Sequence, residues 1–314
     1  MSLAPGETTS STTYKARIIG DYILEHLASH KGGKDAAAPL MVAMHGPQGC
    51  GKTTLTNEIQ RYLQDSQAKA RSAVLSLDDL YHKHESLLSL CQSHPNNGLL
   101  AGRGLPGTHD LELARTTLDA VINCNQRAVT HIELPVFDKS VFGGEGDRSS
   151  STISIETPID VFILEGWSMG FQALAQDELC RKYEQARSSL ARDPSSPAPT
   201  FLSYSLESVQ RVNEYLLAAS EILYPPFSLL VQICPESYAY VYAWRLQQEH
   251  QLIAARGTGM TDAQVGEFVR RYMPGYELWA EEGTAGEKAG SLWSGKSLVL
   301  RYGREREVVS VDNF

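Results

Sequence analysis

The sequence predicts a single α/β domain in which helices flank a mainly parallel central sheet. Short apolar runs alternate with segments of helical periodicity along the chain, an order typical of strands and helices that build one parallel sheet. The runs at 40–44 and 159–164 are continuous enough to be buried strands. A glycine-rich turn over residues 46–53 follows the first run directly and opens an amphipathic helix.

The first predicted elements surround this turn. Residues 14–27 carry apolar side chains on one helical face, and the glycines of segment 31–34 interrupt that pattern. After the turn, apolar residues recur at helical spacing over 55–63. Residues 73–77 form the second predicted strand, which ends at Asp78. Strand, helix and strand in this order predict a parallel pair joined by a right-handed crossover.

Loop signals dominate the middle of the chain. Glycines recur between residues 98 and 107, and Asp110 is placed to cap a helix over 111–122. Residues 129–135 are predicted to be extended, and the segment 137–148 is glycine-rich and charged. The segment 188–203 is rich in Ser, Pro and Ala, which predicts a mobile surface loop.

Helices and strands alternate again in the last third. Thr261 and Gln264 form a capping box at the start of one helix, and Pro274 is predicted to end it. The other predicted elements are a helix over 209–222, a strand over 229–233, a long helix over 236–255, and two short strands over 298–300 and 308–311. The prediction is therefore one domain over residues 14–314.

Composition and charge limit the function classes. The formal net charge of −9 argues against a dedicated nucleic-acid binder, and no apolar run approaches the ~18 residues of a membrane span. Residues 1–13 lack an apolar core and arginine, so we expect a disordered tail and a cytoplasmic protein. The cysteines include no C-x-x-C pair, which predicts reduced thiols and no zinc site: Cys50, Cys91, Cys124, Cys180 and Cys234.

The glycine-rich turn matches the phosphate-loop (Walker A) pattern G-x-x-x-x-G-K-[ST] through Gly46, Gly51, Lys52 and Thr53. In such a loop the backbone N–H groups and the helix N-terminus point at phosphate oxygens. Lys52 would reach the outer phosphates of ATP, and the Thr53 hydroxyl would help to hold Mg²⁺. The alternative is a glycine-rich turn with an exposed lysine, but the buried strand and the helix on either side argue against it.

Two carboxylates fall at strand ends, where the ligands of open α/β sheets collect. Asp78 follows the second strand and Glu165 follows the run at 159–164. One could take a proton from an acceptor hydroxyl, and the other could orient water on Mg²⁺. The alternative is two solvated acids. The sequence lacks Asn-Lys-x-Asp and Leu-Ser-Gly-Gly, which guanine readers and transporter ATPases need. A small-molecule kinase remains.

Several further motifs follow one another along the chain. They are Gly46-Pro-Gln-Gly-Cys-Gly-Lys-Thr-Thr54, Ser76-Leu-Asp-Asp-Leu-Tyr81, Arg103-Gly-Leu-Pro-Gly-Thr-His-Asp110, Pro135-Val-Phe-Asp-Lys-Ser140, Gly146-Asp-Arg148, Phe162-Ile-Leu-Glu-Gly-Trp167, Trp244-Arg-Leu-Gln-Gln-Glu249, Gly259-Met-Thr-Asp262 and Phe268-Val-Arg-Arg-Tyr272. Together these motifs resemble those of the D-glycerate 3-kinase family. The resemblance covers roughly residues 15–312, in order. It implies a P-loop kinase fold with lid and acceptor-binding loops. The sequence departs from the family pattern at Leu80, Thr108 and Phe137.

The resemblance also implies roles on the acceptor side. Asp78 would be the general base, with Asp79 as the alternative base or as a helix cap, and Glu165 would act on Mg²⁺ through water. A carboxylated acceptor such as D-glycerate suits a bidentate arginine. The acceptor-site candidates are Asp78, Tyr81, Arg103, His109, Asp138, Lys139 and Arg148.

For several of these acceptor candidates, a purely structural role is an alternative. Arg103 could be an exposed loop charge, and Arg148 could pair with Asp147 or Asp138. Tyr81 could be a buried tyrosine at the sheet edge, and His109 could be structural.

On the nucleotide side, the phosphate loop contributes Gly46, Gln48, Gly49, Cys50, Gly51, Lys52, Thr53 and Thr54. By resemblance, Arg245 and Arg256 belong to a lid whose arginines approach the transferred phosphoryl group. Arg245 could instead pair with Glu249 one helical turn on. Oxidation of Cys50 would block ATP, although its placement there is better explained by chance.

The predicted function is an ATP-dependent kinase that converts D-glycerate to 3-phosphoglycerate. The alternatives are a P-loop kinase for another small hydroxylated metabolite and an ATP-binding protein without catalysis.

Overall fold

The computed structural model describes residues 8–33, 37–280 and 292–314, apart from the side chain of Arg256. The first half of the chain contains α1 (Thr12–Lys31), β1 (Leu40–His45), α2 (Lys52–Asp65), β2 (Ser72–Ser76), α3 (His84–Ser93), α4 (Leu111–Ile122), β3 (His131–Asp138) and β4 (Asp147–Glu156). The second half contains β5 (Val161–Gly166), α5 (Gln176–Arg192), α6 (Leu206–Leu223), β6 (Leu229–Pro235), α7 (Tyr240–Arg256), α8 (Asp262–Gly275), β7 (Ser297–Tyr302) and β8 (Val308–Asn313).

Within the described residues, the central sheet has the strand order β2-β5-β1-β6-β7-β8. All neighbours are parallel except β7 and β8, which form an antiparallel pair at one edge. The prediction of a mainly parallel sheet flanked by helices is therefore confirmed. The first two strands are parallel as predicted, but they are not neighbours, because β5 lies between them and pairs with both. Every residue of β5 is buried, so this strand requires an interior position in the sheet.

Helices cover both faces of the sheet. Leu40, Val42 and Met44 of β1 face one hydrophobic core, which α1 and α2 complete. The intervening Met41 and Ala43 face a second core, formed with residues of α4 and α6. Alternate residues of one strand thus enter opposite cores, as the period of two in a strand requires. This packing fixes the carboxyl end of β1, where the glycine-rich turn begins.

A separate antiparallel hairpin is formed by β3 and β4, with an irregularity in register between Pro135 and Phe137. It contains the predicted extended segment. The glycine-rich charged segment forms its turn, which includes the short helix Phe142–Gly144. The hairpin bends toward the end of β2, because the Phe137 amide donates a hydrogen bond of 2.9 Å to the Asp79 carboxylate. The turn is therefore held beside the strand ends of the central sheet.

Several predicted boundaries differ from the structure, and the long helix predicted over 236–255 begins only at Tyr240. The predicted loop 188–203 is shorter, since α5 continues to Arg192 and a short helix occupies Thr200–Ser203. Pro274 does not end α8, because the chain continues into a π-helical turn, Tyr276–Ala280, directly after α8.

The predicted tail divides into two parts. Residues 1–7 lie outside the described part of the structure, but α1 already begins at Thr12, with the Ser11 hydroxyl accepting from the Tyr14 amide. The Val308 amide also donates to the Thr9 carbonyl. Among the described helices, none is both long enough and apolar enough to span a bilayer.

Candidate active site

The glycine-rich turn lies between β1 and α2, at the carboxyl edge of the sheet. Gly49 and Gly51 adopt φ angles of 75° and 92°, a left-handed backbone that L side chains rarely adopt. A Cβ at Gly49 would stand 2.8 Å from the backbone carbon of Trp244, so a side chain there has no room. A Cβ at Gly51 would meet nothing within 4 Å, so the space beside the first turn of α2 is open. The turn has the shape that a chain of phosphates needs.

Lys52 crosses the inside of this loop. Its Nζ donates to the Gly46 carbonyl at 2.8 Å and lies 4.0 Å from Oε2 of Glu165. Thr53 is the next residue of α2, and Thr54 follows it on the exposed side. A cation and a buried carboxylate therefore meet beside the loop, and the exposed Thr53 follows Lys52 in the first turn of α2.

Glu165 lies inside β5, with Met44 of β1 and Ser76 of β2 as its register partners. Burial raises the pKa of this carboxyl, while Lys52 opposes the shift and Asp78 adds to it. Its Oε2 atom is buried and has no hydrogen-bond partner among the described residues. A buried oxygen of this kind suits a water-mediated contact to a metal ion.

Asp78 lies in a short 3₁₀ helix, Leu77–Leu80, that follows β2. Tyr81 donates from its hydroxyl to Oδ1 at 2.9 Å, and Lys139 donates from Nζ to Oδ2 at 2.5 Å. Burial opposes ionisation of Asp78, but the charge of Lys139 and these hydrogen bonds lower its pKa to about 2. Asp78 is therefore a carboxylate at neutral pH, and a donor occupies each of its oxygens.

Asp79 has a different environment. Its Oδ1 accepts the Phe137 amide at 2.9 Å, and burial raises the pKa of its carboxyl. The helix cap is Ser76, whose hydroxyl accepts the Asp78 amide at 3.4 Å. Asp79 thus fixes the hairpin, and Asp78 is the aspartate that meets the basic side chain at the hairpin turn.

Aromatic rings form the wall next to Asp78. Tyr81 and His109 stack with centroids 4.5 Å apart, and Phe137 meets Tyr81 edge-on at 5.3 Å. Tyr81 and His109 also form an isolated backbone bridge between their loops. Burial lowers the pKa of His109 to about 4, although the charge of Asp78 opposes the shift. His109 is therefore neutral at pH 7.

The predicted acceptor arginines hold loops in this structure. Arg103 donates from one guanidinium nitrogen to the Gly144 carbonyl at 2.7 Å and to the Glu145 carbonyl. Arg148 pairs with Asp110 at 2.8 Å and donates to the Tyr81 carbonyl at 2.9 Å. The partner of Arg148 is thus neither of the two aspartates that the sequence suggested.

Asp138 does not join the cluster around Asp78. Its carboxylate accepts from the amide and the hydroxyl of Ser140 in its own turn, at 2.8 and 2.6 Å, and its side chain is exposed. These hydrogen bonds lower the pKa of Asp138.

The two arginines predicted to belong to a lid lie on α7. Arg245 pairs with Glu249 at 2.7 Å, and its guanidinium lies 5.4 Å from the centroid of the Phe268 ring. Its backbone nitrogen faces the phosphate loop, 2.9 Å from a Cβ built at Gly49. Arg256 ends α7, and its side chain lies outside the described part of the structure.

Other residues of the phosphate loop contact the protein interior. The Gln48 amide donates to the Tyr276 hydroxyl at 3.1 Å. Cys50 is buried, and burial raises the pKa of its thiol, so it is a poor nucleophile and a poor target for oxidants.

Sequence reasoning missed two arginines. Arg306, in the turn between β7 and β8, donates from Nε to the Gly49 carbonyl at 2.8 Å. Arg271 donates to carbonyls of residues 101–103, at the start of the loop 101–110 that we call the acceptor loop; its bond to the Gly102 carbonyl is 2.9 Å long. Arg271 lies within the motif Phe268–Tyr272, whereas the sequence signal for Arg306 is a basic turn between two short strands.

The arrangement places two kinds of groups on one edge of the sheet. On one side a phosphate loop, Lys52 and Glu165 can hold a nucleotide and a divalent cation. On the other side Asp78, Tyr81 and Lys139 can hold a small polar molecule that carries a hydroxyl. Such an arrangement can position that hydroxyl against a terminal phosphate.

Comparisons with known proteins identify relatives of this chain. No family model matches the chain. A probable ATP-dependent kinase of Saccharomyces cerevisiae, TDA10, is 36% identical over 307 residues, which are 94% of this chain and 97% of that protein. The chloroplastic D-glycerate 3-kinase of Arabidopsis thaliana is 33% identical over 82% of this chain and 51% of the plant protein. A solved structure of a D-glycerate 3-kinase from Cryptococcus neoformans is 39% identical, covers 96% of this chain and 99% of its own, and gives a TM-score of 0.86.

Proposed function

The chain belongs to the D-glycerate 3-kinase family, and from this premise we propose that it transfers the γ-phosphoryl group of ATP to the 3-hydroxyl of D-glycerate. The observation that carries the proposal is the Asp78–Lys139 pair on the acceptor side of the phosphate loop. An aspartate can accept the proton of a hydroxyl, and a lysine beside it can bind a carboxylate. D-glycerate has both groups.

The donor half of the site suits ATP and Mg²⁺. The left-handed glycines and the first turn of α2 would hold the phosphates, with Lys52 on the outer ones. Thr53 and, through water, Glu165 would hold the metal ion. The absence of a hydrogen-bond partner for Oε2 of Glu165 among the described residues supports this assignment. When bound, Mg²⁺ offsets negative charge on the phosphate oxygens.

The chemistry is an in-line displacement. The acceptor oxygen forms a bond to the γ-phosphorus while the bond from the bridging oxygen to the same phosphorus breaks, and ADP leaves with the electron pair. Asp78 takes the proton of the acceptor hydroxyl, and Lys52 offsets charge on the phosphoryl oxygens. Arg245 and Arg256 would approach the same oxygens when the lid closes. Positioning and electrostatics supply most of the rate in such reactions.

The acceptor wall supports a small substrate. Tyr81, His109 and Phe137 pack on one another next to Asp78, and Phe137 offers no hydroxyl group to the acceptor. Tyr81 is the nearest phenol, and its hydroxyl is already bonded to Asp78. Recognition of the acceptor would therefore rest on charge from Lys139, with Arg103 and Arg148 holding the loops around it.

Purified protein tests the proposal directly. ATP turnover is measured alone and with D-glycerate, L-glycerate, glycerol, uridine or a sugar phosphate, and the product is identified by mass. We expect strong stimulation by D-glycerate with formation of 3-phosphoglycerate, and none in Lys52→Ala. If only another acceptor stimulates turnover, that acceptor and not D-glycerate is the substrate. Tight ATP binding without turnover would mean that the chain binds ATP without catalysis.

A further inference from the structure

The ammonium group of Lys139 is paired with Oδ2 of Asp78, the carboxylate that must accept a proton in the proposed reaction. Its Nζ is 2.5 Å from Oδ2 of Asp78, while the Tyr81 hydroxyl occupies Oδ1. The side chain of Lys139 is 53% exposed and that of Asp78 is 28% exposed. The base is therefore capped at the end that faces the open side of the site.

Lys139 is carried by a hairpin turn that other contacts hold in place. Arg103, which lies outside the hairpin, donates to the Gly144 carbonyl of the turn. The Phe142 ring of the turn stacks on His84, with centroids 3.9 Å apart. The position of the turn therefore does not depend on the Lys139–Asp78 pair. The lysine side chain can leave Asp78 while the turn stays.

The exposure of Lys139 makes the pair easy to exchange. Ion pairs near solvent contribute little net free energy, because water screens the charges and solvates the ammonium. A carboxylate on the acceptor offers the ammonium an equivalent partner, so the number of ion pairs is conserved in the exchange. Water and neutral polyols offer no such partner.

We propose that Lys139 is a specificity gate on Asp78, displaced by the carboxylate of the acceptor, so that the base is free only when an anionic acceptor is bound. The gate rests on the proposed function for the role of Asp78. Once Oδ2 is free, it accepts the proton of the acceptor hydroxyl as that oxygen bonds to the γ-phosphorus and ADP departs. Without the acceptor, Asp78 stays paired and does not activate water.

The electrostatics around Asp78 support this assignment. Burial alone would raise the pKa of Asp78, and Lys139 reverses the shift. Loss of Lys139 would therefore make Asp78 a stronger base. The other titratable groups that interact electrostatically with Asp78 are Asp79, Tyr81, His109, Glu165, Tyr272 and Tyr276.

Lys139→Met tests the gate, because methionine keeps most of the length and removes the charge. We expect acceptor-free ATP hydrolysis to rise by about tenfold, and the preference for D-glycerate over glycerol, measured as a ratio of kcat/KM, to fall by at least about tenfold. Lys139→Arg keeps the charge and should retain most of the preference for D-glycerate over glycerol. Lys31→Met is the matched control. Lys31 is 51% exposed and pairs with an aspartate, Asp160, at 2.6 Å, but it lies away from the phosphate loop.

A chemical complementation adds a second readout, in which the effect is first measured on the wild type. Acetate supplied with glycerol should stimulate glycerol phosphorylation by the wild type, since acetate can draw Lys139 from Asp78, and should not stimulate Lys139→Met. Unchanged hydrolysis together with an unchanged acceptor preference in Lys139→Met would overturn the gate. So would a parallel loss of all activities with a lowered Tm, which is the mark of a structural role.

The two proposals fail separately. If the wild type does not phosphorylate D-glycerate, the proposed substrate is wrong. A rise in acceptor-free hydrolysis in Lys139→Met would still support the gate, with the acceptor then sought among other carboxylates.

Discussion

The guanidinium of Arg306 donates a hydrogen bond of 2.8 Å from Nε to the carbonyl of Gly49, across 257 positions of sequence. The same side chain donates to Gln247 at 2.7 Å and lies 5.3 Å from the centroid of the Trp244 ring. Trp244 in turn donates from Nε1 to the Arg304 carbonyl at 2.7 Å. The last turn of the chain, α7 and the phosphate loop thus brace one another, and Arg306 is the common member.

Arg306→Gln should therefore loosen the phosphate loop. We expect KM for ATP to rise about tenfold, the equivalent of one charge-assisted hydrogen bond of ~1.5 kcal/mol, with a smaller change in kcat. Steady-state kinetics with varied ATP measure both. Arg304→Gln on the same turn is the control, because Arg304 is bonded to Trp244 through its carbonyl. Equal ATP affinity in wild type and Arg306→Gln would mean that the loop keeps its shape without this bond.

The two neighbouring aspartates should separate in their effects. Asp78→Asn removes the base but leaves the backbone bonds of the hairpin, so kcat should fall by about 10²–10⁴ at nearly unchanged Tm. Asp79→Asn disturbs the acceptor of the Phe137 amide, so unfolding free energy should fall by ~1–3 kcal/mol. Its kcat should change less than that of Asp78→Asn. Thermal unfolding and turnover of the two variants side by side distinguish them, and the opposite pattern would exchange their roles.

The sequence predicted the elements of this fold better than their neighbours in space. Apolar runs and caps are local signals, so the strands, the Asp110 cap and the capping box at Thr261 are confirmed by the structure. The position of β5 between β1 and β2 depends on which runs are buried on both faces, and no residue signals it locally. The parallel orientation of the strands could therefore be predicted from the sequence, but which strands are neighbours could not.

The candidate site shows the same limit. The phosphate loop and the two carboxylates follow from local motifs and the geometry of strand ends. The pairings between loops could not be predicted from the sequence. These are Arg148 with Asp110, Lys139 with Asp78, and Arg306 with Gly49. Each of these joins segments whose approach is set by tertiary packing, and a charged side chain on a loop does not reveal its partner.

A buried histidine predicts a pH dependence of stability. His45 is 1% exposed at the end of β1, and burial, with the charge of Lys52, lowers its pKa to about 3. An unfolded chain protonates this histidine near its ordinary value of 6.5, so only the unfolded state gains a proton between pH 6.5 and 3. This histidine therefore adds a term that destabilises the wild type as pH falls through that window.

His45→Gln should remove that term. The unfolding free energy of the variant relative to the wild type should increase by up to ~1.4 kcal/mol for each pH unit below 6.5. Denaturant unfolding at pH 7, 6, 5 and 4 measures the difference. His131→Gln, at an exposed position of β3, serves as the control. A difference that stays constant with pH for His45→Gln would show that the folded protein accepts a proton at this site.

Arg245 has two roles to separate, one visible in its contacts and one predicted by family resemblance. Its partner Glu249 is 2% exposed, and Oε1 of Glu249 also accepts the Met260 amide at 2.7 Å. Arg245→Gln would leave a buried carboxylate without its cation, which costs ~3–5 kcal/mol of stability. Loss of activity in this variant alone would therefore not identify a catalytic role.

The double variant Arg245→Gln/Glu249→Gln resolves the question. Removing both charges takes away the buried unpaired carboxylate, so most of the lost stability should return, as measured by Tm. If Arg245 approaches the transferred phosphoryl group, kcat should stay reduced by about 10²–10³, because the glutamine supplies no positive charge to the phosphoryl oxygens. Recovery of kcat together with Tm would instead confine Arg245 to its ion pair, and the lid cation would then have to be sought elsewhere, with Arg256 at the end of α7 as the first candidate.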